Sequence, residues 1–324
     1  MTPGETRKRS STRTDHGPSI TVVICSYTEK RWQELSAGVT AVLAQLTSAD
    51  ELVVVVDHAP EVLARAVAEL TGCRVVPNAH GRGLSGARNT GVELARGDVV
   101  AFLDDDATPG EGWLESLRAP FDAEDVLGVA GRVDPAWEGG VAPRWFPPEF
   151  GWVVGCDYVG LPAGGEQVRN PIGASMALRR KPLADIGGFS ELVGRVGTLP
   201  VGCEETEISI RLAQADPTAR VLRASGGVVR HLVPKDRQRL RYFLSRCYHE
   251  GRSKAVLSAL VGTRHGLAAE RSYATRTLPL GVLRHLAAAG KGDPAGVARA
   301  ACIVLGLLTT GLGYLAARRA GSVT

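Results

Sequence analysis

Asp104, Asp105 and Asp106 stand together at the end of an uninterrupted apolar run, Val99 to Leu103. Three adjacent carboxylates repel one another and take up protons or cations readily. Asp104 and Asp106, one residue apart, make a natural pair for a divalent metal. A metal held in this way calls for a phosphate-bearing partner. A second acidic set, Glu204, Glu205 and Glu207, opens a stretch of helical pattern, where carboxylates suit the positive end of a helix. On a helix Glu204 and Glu207 face one way and Glu205 another, and Arg211, four residues after Glu207, is placed for an intrahelical ion pair.

Chemistry of this kind needs a scaffold that delivers its acids to one edge. A continuous apolar run ended by acids suits a strand buried on both faces of a parallel sheet, with ligands met at its carboxyl end. The preceding chain supplies the neighbours. Ile20 to Cys25 reads as a strand, and a helical stripe follows at Trp32, Leu35, Val39, Val42, Leu43 and Leu46. Leu52 to Val56 is a second strand, closed by Asp57, and Pro60 opens a helix through Val62, Leu63, Ala66, Val67 and Leu70. Arg74 to Val76 is a short third strand, and Ser85 to Ala95 is helical. This alternation predicts an α/β fold, a doubly wound mostly parallel sheet flanked by helices. Asp57, residues 26 to 29 and the acidic triplet then share one edge, a place for a nucleotide.

Gly81, Gly83 and Gly86 permit a close backbone approach or an unusual turn, without the spacing of a dinucleotide fingerprint. From 134 to 170 the chain is rich in proline and glycine, a long irregular connection of the kind compact domains keep for function. It holds Trp137, Trp145 and Trp152. Regular patterning resumes at Ile172 to Leu178 and at Glu205 to Ala213, and a strand at Gly227 to Val229 precedes His231.

The chain has 324 residues and a net charge of +4, unevenly spread. From Arg230 to the end, 16 Lys and Arg face 4 Asp and Glu, which leaves the first 229 residues at −8. A nucleic-acid surface is one reading of this basic end, but the basic residues are interleaved with aliphatic ones, which fits an anionic membrane face better, so a membrane and no nucleic acid is the expected partner. The cysteines at 25, 73, 156, 203, 247 and 302 show no metal-ligand spacing, and no apolar segment follows the charged start. Both features point to a reduced, cytoplasmic compartment.

Taken in order, these pieces resemble the family-2 glycosyltransferases, inverting nucleotide-sugar-dependent enzymes of the GT-A fold. The resemblance covers about residues 20 to 231. It rests on Cys25-Ser-Tyr-Thr-Glu29, Glu51-Leu-Val-Val-Val-Val-Asp57, Gly83-Leu-Ser-Gly-Ala-Arg-Asn-Thr-Gly91, Gly97-Asp-Val-Val-Ala-Phe-Leu-Asp-Asp-Asp106, Gly112-Trp-Leu114, Gly173-Ala-Ser-Met-Ala-Leu-Arg-Arg180, Gly187-Gly-Phe189 and Glu204-Glu-Thr-Glu-Ile-Ser-Ile-Arg211.

The resemblance implies roles. Asp106, helped by Asp104, would hold a divalent cation, Mn2+ or Mg2+, that neutralises charge on a departing phosphate. Asp104 would also meet the ribose or a metal-bound water, and Asp105, in the same nucleotide-sugar stretch, is turned aside. Asp57 matches the acid that reads the nucleobase, with Ser26, Tyr27 and Glu29 lining the other side of the base pocket. Arg88 would reach the diphosphate. His231 matches a metal- or diphosphate-contacting histidine. The acceptor's general base is usually an aspartate at the position of Glu205. The longer side chain leaves open whether Glu204 or Glu205 does the work. Trp145 and Trp152 would stack on acceptor sugar rings. Thr28, and His58-Ala59-Pro60 after Asp57, depart from the family pattern around the nucleoside.

The expected organisation is a disordered tail (1–18), a catalytic domain (19–235) with a nucleotide-binding half (19–119) and an acceptor half (120–235), and a basic helical C-terminal extension (236–324). Residues 300 to 317 carry no charge and are followed by Arg318 and Arg319. As a helix they would run ~27 Å, just short of a ~30 Å hydrocarbon core. A buried terminal helix, an in-plane anchor and a span all satisfy this pattern. The reading is a sugar transferase acting on a glycan or lipid-linked acceptor at the inner face of the cell membrane. Two rivals are a nucleotidyltransferase, which would use Lys30 and Arg31 after the first strand, and a sugar-nucleotide-binding or membrane scaffold protein that has lost its base.

Overall fold

A computed structural model describes residues 17–191, 203–261 and 271–319. The expected N-terminal tail, apart from Gly17 and Pro18, lies outside the described residues.

The N-terminal half alternates as its apolar patterning requires. Strand β1 (Ile20–Ser26) is followed by α1 (Trp32–Leu43), β2 (Glu51–Val56), α2 (Pro60–Glu69), β3 (Arg74–Pro77), α3 (Leu84–Leu94) and β4 (Val99–Asp104). Pro60 sits in the first turn of α2, where its missing N–H costs nothing. β1 pairs in parallel with β2 and β4, and β2 with β3. Ile24, Val54, Val56 and Leu103 pack into one layer, while Val23, Val53, Val55 and Phe102 pack into the other. Strand alternation therefore feeds both faces of the sheet.

The second half adds β5 (Ala107–Pro109), α4 (Trp113–Arg118), β6 (Val126–Trp137), β7 (Ser175–Arg179), α5 (Arg180–Asp185), α6 (Glu204–Ala215) and β8 (Arg220–Val233). The eight-stranded sheet has the order β3-β2-β1-β4-β7-β6-β8-β5. β7 runs antiparallel to both β4 and β6, β6 and β8 are parallel, and β5 closes the edge antiparallel to β8. The short β5 matters most for the site. Its pairing sets Ala107 opposite His231, and the Leu232 N–H donates to the Asp106 carbonyl at 2.8 Å. A residue 125 positions downstream is thereby brought beside the acidic turn.

The connection from 134 to 170 is partly ordered by a 3-10 turn at Pro148–Val154. Phe146, Phe150 and Val153 join Phe243 of α7 (Leu240–Val261), Leu278 of α8 (Leu278–Gly290) and Ile303 of α9 (Ala295–Arg319) in a third apolar cluster. Trp137 and Trp145 pack there, against Phe146 at 5.1 and 5.8 Å between ring centres. The C-terminal helices are thus bound to the α/β body.

Glu149, fully buried, pins the 3-10 turn to α8. It is paired with Arg284, and its Oε2 lies 3.2 Å from His285 Nε2. Gly281 leaves the room for this, since a Cβ there would lie 2.3 Å from Glu149 Oε1. Removing one partner from a buried pair leaves the other's charge uncompensated. Glu149→Ala should therefore cost about 3 kcal/mol of folding stability, read as a lower denaturation midpoint in urea, with the slope unchanged.

Candidate active site

The carboxyl ends of β1, β2 and β4 lie level, with Cys25 opposite Asp104 and Ser26 opposite Val56. Beyond this edge opens a cavity of about 590 Å³, ample for a substrate-sized ligand. Its wall includes Arg31, Arg88, Asp104, Asp106, Trp152, Glu204, Glu205 and His231. The two acidic sets that the sequence separates by a hundred residues face one space.

On one side, ligand atoms of Asp104, Asp106 and His231 lie within 4.8 Å of one another. His231 Nε2 donates to Asp106 Oδ1 at 2.9 Å, while Arg31 and Arg237 approach Asp106 Oδ2 at 3.2 and 3.5 Å. Burial alone would raise the Asp106 pKa, but His231, Arg31 and Arg237 hold it well below the usual carboxylate range. Burial would likewise lower the pKa of His231, and the Asp106 carboxylate overrides it and raises it well above normal. Cys156 Sγ lies 3.7 Å from the other ring nitrogen of His231.

Asp105 is turned away from this set. It does not line the cavity; its Oδ1 takes a 2.6 Å ion pair from Arg31 and its Oδ2 a 2.8 Å hydrogen bond from Ser26 Oγ. Burial pushes its pKa up to about 6, against the pull of Arg31. Ser26 and Asp105 are therefore joined beneath the site.

On the other side, α6 begins at Glu204. The preceding Cys203 has φ of +107°, a conformation that side chains rarely adopt. Arg211 bonds Glu207 at 2.6 and 3.0 Å, as the four-residue spacing predicts, and also donates to the Ile186 carbonyl. This ties α6 to the turn around Gly187. Glu204 Oε1 and Glu205 Oε1 lie 3.3 and 3.6 Å from Arg88 Nη1. Both acids reach the same guanidinium despite their positions on the helix. Glu204 is buried, and its Oε2 has no hydrogen-bond partner among the described residues, an acceptor left for something in the cavity. Glu205 is 19% exposed. Burial, then the neighbouring Glu204 charge, push its pKa up to about 7, with Arg88 opposing.

Arg88, expected at the diphosphate, is 2% exposed and lies between the two sets, with Nη2 3.7 Å from Asp104 Oδ1. Phe102 and Phe189 flank its guanidinium at 5.8 and 5.4 Å. Its charge is directed to carboxylates, so it holds the acids in place. Gly173 is the backbone counterpart. A Cβ there would fall 1.9 Å from Glu205 Oε1 and 2.7 Å from Arg88 Nη2. Gly173→Ala should leave the fold intact, judged by circular dichroism, and lower turnover about 10²-fold by displacing these groups.

The residues expected around the nucleobase sit at the same edge but outside the cavity wall. Asp57 accepts from Asn78 Nδ2 at 2.7 Å and from the Gly83 N–H at 2.9 Å, so it fastens the 78–83 loop. Gly83 itself adopts φ of +137° before α3. Tyr27 is exposed, with the Arg31 guanidinium 5.7 Å from its ring centre, and Glu29 is exposed in a single 3-10 turn. Of the two tryptophans expected at the acceptor, Trp152 lines the cavity and donates to Tyr273 Oη at 3.1 Å. Trp145 does not line it; it packs edge-on against Phe243 at 5.7 Å in the third apolar cluster. Sequence reasoning missed Arg237 and Tyr273, and the polar face of α7, from which Arg246, Glu250 and Lys254 line the cavity.

A model of the family described as Glycosyl transferase family 2 matches residues 21–187. The glucosyl-dolichyl phosphate glucuronosyltransferase of Haloferax volcanii is 34% identical over 247 residues, covering 74% of this chain and 78% of that protein. A pre-mycofactocin glycosyltransferase of Mycobacterium tuberculosis is 46% identical over 65 residues, covering 20% of this chain and 14% of that protein. Among solved structures, the mannosyltransferase PcManGT of Pyrobaculum calidifontis, in complex with GDP-Man and Mn2+, has a TM-score of 0.54 at 18% identity. It covers 91% of this chain and 88% of its own. GalNAc-T7 with UDP, GalNAc and Mn2+ has a TM-score of 0.52 at 17% identity, covering 80% and 54%. These two likenesses establish a shared GT-A fold.

Proposed function

The chain belongs to glycosyl transferase family 2 and is an enzyme of that class, and from that premise we propose that it moves a sugar from a nucleoside-diphosphate sugar to an acceptor hydroxyl, with inversion. Family membership sets aside the nucleotidyltransferase alternative. The observation that carries the proposal is the single cavity with Asp104, Asp106 and His231 on one side, Glu204 and Glu205 on the other, and Arg88 between.

Asp104 and Asp106, joined by His231 Nε2 once its proton leaves, lie within 4.8 Å of one another and form a donor set that fits Mn2+ or Mg2+. When bound there, such a cation would neutralise the charge that develops on the departing diphosphate. The chain's own residues supply the rest. Arg31 and Arg237, already drawn to Asp106, add positive charge where the diphosphate leaves. Glu205 takes the proton of the acceptor hydroxyl as that oxygen bonds to the anomeric carbon and the bond to the diphosphate breaks. Its partial exposure and a pKa near 7 suit a base that must meet substrate. Glu204, fixed by Arg88, keeps one oxygen for a substrate hydroxyl. Tyr27, Glu29 and Asp57 form the nucleoside side, with Ser26 bonded to Asp105 beneath it, and Trp152 the acceptor side.

The acceptor in this reading is lipid-linked, as the name of the Haloferax relative states for that protein. The place of action is the inner face of the cell membrane, where a lipid-linked acceptor and soluble nucleotide sugars meet. Incubation with UDP-, GDP- and dTDP-sugars, Mn2+ and a lipid-linked sugar as acceptor tests the core of the proposal. An α-linked donor should release its nucleoside diphosphate and give a β product by NMR. An α product, or no release with any donor, would contradict it.

A further inference from the structure

We propose that α8 and α9 form the face by which the protein docks on an anionic lipid bilayer, with α9 lying in the membrane plane and not across it. This rests on the membrane reading above and goes beyond it in naming the face and its orientation.

One side of α9 is packed and the other is open. Gly296, Ala300, Ile303, Gly306, Gly313 and Ala317 are buried, spaced as one helical face. On the opposite face Val304, Leu308, Leu312 and Leu315 are exposed, Leu308 to 59% and Leu312 to 63%. α8 adds Leu280 and Leu283, each 64% exposed. Such a run of open leucines marks an interaction surface.

Charge identifies the partner. Arg271, Arg276, Lys291, Arg318 and Arg319 are exposed. Among the described residues from 271 to 319 the sole carboxylate side chain is Asp293, which is paired with Arg299. Leucines bordered by cations complement an anionic lipid surface.

Packing fixes the orientation. α9 is 25 residues long and apolar enough to cross a bilayer by length and composition. Its middle, however, touches the backbone of α7: a Cβ on Gly313 would lie 2.0 Å from the Tyr248 carbonyl oxygen, and one on Gly251 would lie 2.0 Å from that of Thr310. At that level α7 carries the exposed Arg252, and Arg246, Glu250 and Lys254 on the cavity wall. A span would take these charges and the substrate cavity to the bilayer centre, where ionisable groups are costly. Lying flat puts the leucines in lipid and keeps α7 in water. Leu307, 41% exposed, also lines the cavity. The cavity therefore opens beside the lipid face, where a lipid-linked acceptor would enter.

The test is flotation of the full-length protein with phosphatidylcholine vesicles, with and without phosphatidylglycerol. The wild type should float with the anionic vesicles and be released by alkaline carbonate. L308E/L312E should lose flotation about tenfold or more. R318E/R319E should weaken it on the anionic vesicles alone. Nucleotide-dependent thermal shifts must persist in both variants, which shows that they fold. Absence of wild-type flotation would overturn the proposal, as would retention after carbonate or binding unchanged in L308E/L312E. So would a wild-type dimer that L308E/L312E splits with no change in flotation, which would make the face an interface between copies. Donor hydrolysis without vesicles reads the transferase proposal separately.

Discussion

Glu205→Gln should lower turnover by about 10² to 10⁴-fold, the usual contribution of a positioned general base, while donor binding is kept. The substitution preserves shape beside Arg88 and Gly173 and removes only the proton acceptor. The wild-type pH profile should carry the same signature. Below about 7 the Glu205 carboxyl is protonated and idle, so kcat/KM should rise with pH through about 7 and level off above it. Stability should move the other way. A carboxyl whose folded pKa is raised from 4.5 to about 7 favours the folded state fully below 4.5, and that contribution is lost as pH rises through 7. Urea denaturation should accordingly find Glu205→Gln more stable than wild type above pH 7, with the difference shrinking toward pH 4.5. A transferase whose base is this buried gains activity and loses stability over the same pH range.

Asp106→Asn should lower transfer about 10²-fold or more, by removing one of the two carboxylates proposed to hold the cation. It should also change the protein before any substrate arrives. His231, Arg31 and Arg237 converge on this carboxylate, and an amide cannot balance their charge. His231 can release its proton, which recovers part of the cost. A net loss on the order of 3 kcal/mol remains, as expected when one member of a buried ionic cluster is removed. Calorimetric unfolding with and without Mn2+ would separate the two effects. Wild type should gain stability from the metal, and Asp106→Asn should start lower and gain little.

The acidic turn was legible because a buried parallel strand leaves an unbroken apolar run, Val99 to Leu103, and its acids mark where the run ends. Glu204 and Glu205 were legible as an acidic helix start, and Arg211 by its distance from Glu207. β6 was not legible. Gly128 and Gly131 interrupt its pattern because neighbours fill their Cβ positions: Leu178 at 3.0 Å beside Gly128, and Ser175 Oγ at 1.9 Å beside Gly131. Arg88 carries no local sign that its charge serves acids on another helix 116 residues away. The α7 residues were hidden for a related reason. Arg246, Glu250 and Lys254 read as an ordinary charged helix face, and only the packing of α7 against α9 turns that face toward the cavity. Trp145 and Trp152 look alike in sequence, and only their packing separates a core residue from a cavity-lining one.

The most direct measurement is a calorimetric titration of UDP-, GDP- and dTDP-sugars with Mn2+ into wild type, Glu205→Gln and Asp106→Asn. One donor nucleotide should bind wild type and Glu205→Gln alike, and binding should vanish in Asp106→Asn and when the metal is chelated. Equal binding by all three proteins, or binding indifferent to Mn2+, would contradict the division of this cavity into a metal-dependent donor side and a catalytic base.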